Sequence, residues 1–440
     1  MTADRRRFLA GMAGLCLGAP LTACSSTGEM IAAPDRKPVP SLGGTSVYVP
    51  GYMPEKALVN GVKAARNRHF ARNISDFRSP YRLLTKVGMD GRVTQALLPA
   101  YAHDVKIAPD KSIGILCGFE EREQVAFDPQ TLDLVAKAPA AGEGWRGGGH
   151  AVFLDRGKTV AMSERAPRRA VTDGRIEAQY GRITIRDADT LAVRESYSSH
   201  GIDPHDIRLI DDGRYLVAAN YGSLPRPGKV DLPVPRDVPQ ACVTIIDMAN
   251  GRLVDRIVTA RNSQLETRHL AAGRLDRIFA IQARLGSDAD GVAEIAGQSR
   301  IAAGEDITTD GGIAYLAAAT LKLASGEAPQ VMGNAGQRAA MRHGLSIAYD
   351  DRFDQAIATF PSSHHVMVFD GASGRVVHDL DSSTTGLRYP CGVTLLPDGK
   401  HYAIAGYWEN LYVFERGTHK LVRDLCLYPV FFGHSHITAA

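Results

Sequence analysis

The 440-residue sequence predicts an all-β fold: a seven-bladed β-propeller of four-stranded antiparallel blades, closed by N- and C-terminal strands in one blade. Three observations carry this. Short apolar runs alternate with Asp-Gly, Asn-Gly, Pro-Asp-Gly and Ala-Ser-Gly turns, the punctuation of hairpins. The hydrophobic period is two, not about 3.6. Seven times a histidine, or once a cysteine, stands at the mouth of a short apolar strand: His103-Asp-Val-Lys-Ile, His150-Ala-Val-Phe-Leu, His205-Asp-Ile-Arg-Leu, His269-Leu-Ala-Ala, His343-Gly-Leu-Ser-Ile, Cys391-Gly-Val-Thr-Leu and His436-Ile-Thr-Ala. Their separations of 47, 55, 64, 74, 48 and 45 residues fit one repeated unit of blade length with insertions in the middle.

The elements follow in order. Ser46-Val-Tyr-Val, Tyr81-Arg-Leu-Leu-Thr-Lys and Arg92-Val-Thr-Gln-Ala-Leu-Leu precede the first His unit and lack an inner strand. The third unit shows the grammar most fully. His205-Asp-Ile-Arg-Leu-Ile, a turn at Asp211-Asp212-Gly213, Arg214-Tyr-Leu-Val-Ala-Ala-Asn220, a Pro-rich insertion from Ser223 to Pro239, Cys242-Val-Thr-Ile-Ile-Asp247 and Arg252-Leu-Val-Asp-Arg-Ile-Val258 make four strands. The fifth unit, from His343 to Leu380, and the sixth, from Cys391 through Pro397-Asp398-Gly399, repeat it. After His436 one strand remains, so one C-terminal and three N-terminal strands make the closing blade and leave no open edge. Glu55 to Asn73 is expected to form a short helix, and Gly286 to Asp310 an excursion from the fourth blade.

Arg5-Arg6-Arg7-Phe8-Leu9 before a weakly apolar stretch is the pattern of a twin-arginine export signal. Leu21-Thr22-Ala23-Cys24 resembles the bacterial lipoprotein cleavage box, with Cys24 acylated as the new N-terminus. The expected organisation is a signal peptide over 1–23, a Ser/Thr/Gly/Pro-rich tether over 24–44 and the propeller over 45–440. The expected location is periplasmic, anchored to the membrane by lipid alone. Hydrophobic content of 44% with 22% charged residues is ordinary for a folded domain, and a net charge of +3 gives no support for nucleic-acid binding. Cys117, Cys242, Cys391 and Cys426 lack framework spacing and are expected to be free thiols.

Ring closure would gather the seven marked residues at one mouth of the central channel. Neutral imidazole and thiolate suit transition metals, so His103, His150, His205, His269, His343, Cys391 and His436 form the candidate ligand pool for a metal, iron or copper. A seven-bladed channel is wide, so one ion reaches three or four of them at about 2.0–2.3 Å. Glu120 or Glu121, Glu164, Asn220, Gln282, Trp408 and Glu409 end second strands on the same face. His200, His364, His365 and His434 are secondary candidates. Phosphate-loop, Gly-x-Gly-x-x-Gly and Gly-x-Ser-x-Gly motifs are missing from suitable settings, so no nucleotide cofactor is expected.

The histidine placement resembles that of the nitrous-oxide reductases, whose seven-bladed propeller holds copper through axial histidines. The appended copper domain with paired cysteines is missing, so that activity is not implied. Pro204-His205-Asp206 equally resembles the lactonase-like propeller repeats, where such histidines tie neighbouring blades together without metal. Gly149-His150-Ala-Val-Phe, His200-Gly-Ile-Asp-Pro-His205-Asp-Ile-Arg-Leu, Leu216-Val-Ala-Ala-Asn220-Tyr-Gly and Thr267-Arg268-His269-Leu-Ala resemble an uncharacterised family of twin-arginine-exported bacterial periplasmic propellers. Members are often encoded beside imelysin-type, iron-regulated lipoproteins and a dihaem thiol-oxidoreductase-like protein, which implies periplasmic iron handling and an imelysin-like or cytochrome-type partner. Three readings follow: a metal-binding lipoprotein, a protein-interaction scaffold with structural histidines, and a lactonase- or oxidoreductase-like enzyme at the same mouth.

Overall fold

Alternation along each strand decides which inter-blade gap a side chain fills. In the strand Arg277–Leu285, Ile278 and Ala280 pack toward the third blade while Phe279 and Ile281 pack toward the fifth. The computed structural model describes residues 27–30, 42–51, 58–59, 62–63, 82–100, 102–119, 123–167, 176–225, 236–261, 265–285, 309–310, 313–387, 389–406, 409–431 and 436–440. These form seven antiparallel blades.

From the channel outward, the first blade runs Ala102–Ile107, Gly114–Gly118, Glu123–Phe127, Leu134–Pro139, and the second Arg146–Leu154, Thr159–Arg165, Tyr180–Asp187, Val193–Ile202. The third runs Pro204–Ile210, Tyr215–Asn220, Gln240–Asp247, Arg252–Arg261, and the fourth Leu265–Arg274, Arg277–Leu285, Thr320–Leu323, Gln330–Val331. The fifth runs Ser346–Asp350, Gln355–Phe360, His365–Asp370, Val376–Asp381, and the sixth Pro390–Leu395, His401–Gly406, Glu409–Glu415, Leu427–Phe431.

The seventh closes the ring as the sequence predicts. Thr438–Ala439 pairs with Ser46–Gly51, which pairs with Arg82–Gly88 and then Val93–Leu98. Ser46 and Ala440 exchange both backbone hydrogen bonds, at 2.8 and 2.9 Å. Thr27–Met30 adds a further strand outside Val93–Leu98.

One apolar cluster fills each gap between neighbouring blades, seven among the described residues. Middle strands are buried on both faces and read as continuous apolar runs; outer strands such as Val376–Asp381 alternate between half-buried and exposed. Burying apolar surface in every gap makes closure of the ring, rather than any single blade, the unit of stability.

The helix expected over Glu55 to Asn73 does not form where the structure describes that stretch: Leu58–Val59 and Val62–Lys63 pair as a hairpin. Asn60-Gly61 between them is hairpin chemistry that outweighs the helical spacing. The excursion from Gly286 lies outside the described residues as far as 308; its end, Thr309–Asp310 and Ile313–Leu316, folds back as short strands beside the fourth blade. The signal segment, Cys24 and most of the tether also lie outside the described residues. Cys117, Cys242, Cys391 and Cys426 are buried free thiols, as expected.

Candidate metal centre

The inner strands break register where the marked residues sit. The pairing with the second strand slips between Ala102 and Asp104, Gly147 and Ala151, Pro204 and Ile207, Thr267 and His269, and Pro390 and Val393. Each slip is a bulge, which bends the strand and breaks the sheet's side-chain alternation at the marked residue. The fifth blade pairs without a slip, and His343 precedes its inner strand at φ 54°.

Four of the seven predicted ligands come together. One ligand atom from each of His103, His150, His269 and His436 lies within 4.8 Å of the others. They arrive from the first, second, fourth and closing blades. His103 Nε2 and His436 Nε2 are 3.1 Å apart. His150, His269 and His436 are buried, while His103 keeps partial exposure and gives the cluster its contact with solvent. His205 packs against the group, its ring centroid 4.6 Å from His150, 4.7 Å from His103 and 4.8 Å from His269, but it contributes no atom to the set of four.

His343 and Cys391 are not brought into the group. Cys391 Sγ donates to Tyr389 O at 3.3 Å, and burial pushes its thiol well above the usual range, so it is held protonated. His200 Nε2 pairs with Gly251 O at 3.0 Å. His364 Nδ1 accepts from Tyr389 N at 3.1 Å, and His365 Nδ1 donates to Ser363 O at 2.7 Å. His434, Glu120, Glu121 and Trp408 lie outside the described residues.

Carboxylates orient the imidazoles. His150 Nδ1 lies 2.8 Å from Asp104 Oδ2 and 3.2 Å from Asp206 Oδ1, which fixes its proton on Nδ1 and leaves the Nε2 lone pair free. Lys106 Nζ stands 2.6 Å from Asp104, and Arg208 pairs with Asp206. Leu270 N donates to Asp206 at 3.0 Å. Burial works to raise both carboxyls. At Asp104 the charges of Lys106, His436 and Arg208 outweigh it and hold the group below its usual range, whereas at Asp206 burial wins and pushes the carboxyl up to about 6.

Four of the imidazoles are held neutral. Burial first, then mutual repulsion within the cluster, lowers His103, His150, His205 and His269 well below the ordinary histidine range. His205 donates from Nδ1 to Gly148 O. His150 Nε2, His205 Nε2 and His269 Nδ1 are buried with no hydrogen-bond partner among the described residues. These four rings are therefore in the neutral form in which imidazole binds a metal, while His103 Nε2 and His436 Nε2 share a hydrogen bond at 3.1 Å whose proton an ion would displace.

Gly149 makes room for it. Its φ is +102°, and a Cβ there would lie 3.0 Å from His205 Cε1 and 3.1 Å from His103 Cδ2. On the outer side Phe119 packs 5.1 Å from His103 and from His205, Tyr221 packs 4.7 Å from His205, and the Arg165 guanidinium lies over both aromatic rings.

Of the second-strand residues singled out by sequence, Glu164, Asn220 and Gln282 are tied into the blades by hydrogen bonds. Glu164 accepts from Arg186 at 2.7 Å, from Arg182 at 3.0 Å and from Ala141 N at 3.0 Å. Asn220 donates to Thr244 Oγ1 at 3.1 Å, and Gln282 to Thr259 O at 3.4 Å. Asp104, Asp206, Gly149, Phe119 and Tyr221 escaped sequence reasoning. One signal was present: His103-Asp-Val-Lys and His205-Asp-Ile-Arg repeat a His-Asp-aliphatic-basic unit.

The profile of a family described as "Protein of unknown function (DUF1513)" matches residues 96–423. No curated protein matches the sequence. Among solved structures, Kuenenia stuttgartiensis hydrazine synthase is similar at 16% identity and TM-score 0.49, over 77% of this chain and 92% of that one. A functionally unknown protein from Desulfotomaculum acetoxidans DSM 771 is similar at 9% identity and TM-score 0.43, over 70% and 78%. The Myceliophteria thermophila Cps50 (Swd1) β-propeller domain is similar at 11% identity and TM-score 0.38, over 60% and 64%.

Proposed function

The chain belongs to the DUF1513 family of proteins of unknown function, and from that premise we propose that it binds one transition-metal ion, iron or copper, through His103, His150, His269 and His436. The convergence of four imidazoles from four blades on one small volume carries this reading. Leaving a buried polar atom unpaired costs about 1–3 kcal/mol. Three such nitrogens in one cluster, His150 Nε2, His205 Nε2 and His269 Nδ1, would weigh heavily against a net stability of about 5–15 kcal/mol. A bound ion offsets that cost. An all-imidazole donor set, without carboxylate or thiolate, disfavours magnesium and calcium, and in the affinity order of divalent metals copper stands above iron.

The protein carries out this role as an exported lipoprotein tethered through Cys24, passing metal to or from an imelysin-like or cytochrome-type partner. Support for export and anchoring is the Arg5-Arg6-Arg7 and Leu21-Thr22-Ala23-Cys24 motifs, and support for iron in particular is the family resemblance alone. A second reading, a scaffold with structural histidines, is favoured by the Nδ1 contacts of His150 and His205, which do join neighbouring blades. The two are compatible at the level of single atoms, because Nδ1 can tie blades while Nε2 faces the ion.

The test is a titration of chelator-stripped protein with Cu(II), Fe(II) and Zn(II), followed by desalting and elemental analysis. One retained ion per chain, lost in His150→Ala and in His269→Ala, supports the metal reading. A protein that retains none is a scaffold.

A further inference from the structure

We propose that His205 supplies a fifth imidazole to the same ion and thereby biases the site toward Cu(II), a metal that accepts a fifth nitrogen beyond four close ones. The inference rests on the metal-binding reading above and extends it from a donor group of four to a metal preference.

His205 is fixed in both directions. Its Nδ1 donates to Gly148 O of the second blade, so the proton sits on Nδ1 and the lone pair on Nε2. That Nε2 is buried and finds no hydrogen-bond partner among the described residues. One flank of the ring rests on His103, His150 and His269, and the other on Phe119 and Tyr221 at 5.1 and 4.7 Å. Tyr221 and the Arg165 guanidinium border the aromatic side, yet His205 Nε2 makes no hydrogen bond there among the described residues, which leaves its lone pair available to an ion at the histidine cluster.

His205 stands outside the four-residue set whose ligand atoms all lie within 4.8 Å of one another, so it would join the ion as an outlying donor. Such a donor suits a long, weak position. Zn(II) is satisfied by four tetrahedral ligands at about 2.0–2.1 Å and gains little from a fifth. Cu(II) prefers tetragonal geometry with a more distant ligand on the axis.

The experiment uses the full chain, stripped of metal and loaded with Cu(II) or Zn(II). His205→Gln keeps an N–H for the Gly148 carbonyl and removes the imidazole. In the variant, Cu(II) affinity should fall about tenfold or more, the range seen for support residues of metal sites, with a shifted electron-paramagnetic-resonance spectrum and one fewer coupled imidazole. Zn(II) affinity should stay within about threefold of wild type, since a four-coordinate ion does not use the fifth donor. An unchanged Cu(II) spectrum, or a parallel loss of Cu(II) and Zn(II), overturns the assignment and makes His205 a packing residue.

Wild-type protein gives an answer that needs no variant: X-ray absorption should count five nitrogens around Cu(II) and four around Zn(II), and equal counts contradict the proposal. A wild-type protein that binds neither metal removes the metal reading as a whole, whereas binding with equal counts removes only His205.

Discussion

His103 Nε2 and His436 Nε2 face each other at 3.1 Å, joining the first blade's inner strand to the last strand of the chain. Two nitrogens at that separation subtend about 100° at an ion held at 2.0–2.1 Å, close to a tetrahedral angle. A metal bound there would clip the ring at its closing seam, where Thr438–Ala439 and its flanking backbone bonds pair with Ser46–Gly51. Metal should therefore stabilise the fold, by about 2.7 kcal/mol at one hundred times the Kd. Thermal melts with and without Cu(II) should show an upward shift that grows with metal concentration, and His436→Ala should abolish the shift.

The pH dependence has a definite sign. The sequence alone leads one to expect metal affinity to fall as pH drops through about 6.5, the ordinary histidine value. Burial and crowding lower His103, His150, His205 and His269 well below that value, so protons compete for these nitrogens only at more acidic pH. Affinity measured by competition against a pH-insensitive chelator should stay level from about pH 7.5 through about 6.5 and decline only below.

The metal-free protein carries the same signature in its stability. Each of these histidines is neutral when folded and takes up a proton when unfolded below its ordinary value of 6.5. Stability is fully present above that value and is lost as pH falls, by about 1.4 kcal/mol per unit for each such group until its folded pKa is reached. Asp206, raised to about 6, works the other way between there and its ordinary value of 3.8. Urea unfolding at pH 7.5 and pH 5.5 should show lower stability at the acidic pH, and a higher stability at pH 5.5 would contradict neutral, buried imidazoles.

Much of the fold was legible because propeller closure leaves local marks. The turns of the third, fifth and sixth units, and the single strand left after His436, identified the closing blade before any contact was known. The site was legible only in part. Sequence spacing placed seven residues at blade mouths, but it could not show which side chains converge: His343 and His436 both precede inner strands that pair without a slip, and only His436 joins the group. Nor could it show that Cys391 turns its thiol to the Tyr389 carbonyl. Asp104 and Asp206 converge on one nitrogen of His150 from different blades, and only the three-dimensional ring brings them there.

Gly149→Ala tests the close approach of the imidazoles. A left-handed backbone costs a residue with a Cβ about 1–2 kcal/mol, before any clash is counted. The new methyl would also meet His205 and His103 at 3.0 and 3.1 Å. Metal affinity should fall about tenfold or more while circular dichroism remains that of a β-protein, since the substitution acts on the ligand geometry that supporting residues fix. Unchanged affinity would mean that these rings do not set the site.

Asp104→Asn should weaken metal binding about 10–100-fold without removing any ligand, the usual penalty for losing a carboxylate that orients a ligating histidine. The measurement is the same chelator competition. Loss of melting temperature with full metal affinity would instead assign Asp104 to packing.

The anchoring claim has its own check. Cys24→Ser should move the exported protein from the membrane fraction to the soluble periplasmic fraction and abolish labelling by radioactive palmitate. Continued membrane fractionation without label would remove the lipid tether from the account.

X-ray absorption on the metal-loaded protein tests the central claim most directly. The account predicts a first shell of imidazole nitrogens, at least four, near 2.0–2.1 Å and with no sulfur. A shell of sulfur or of water and carboxylate oxygen, or the same shell in a His150→Ala/His269→Ala variant, would contradict it.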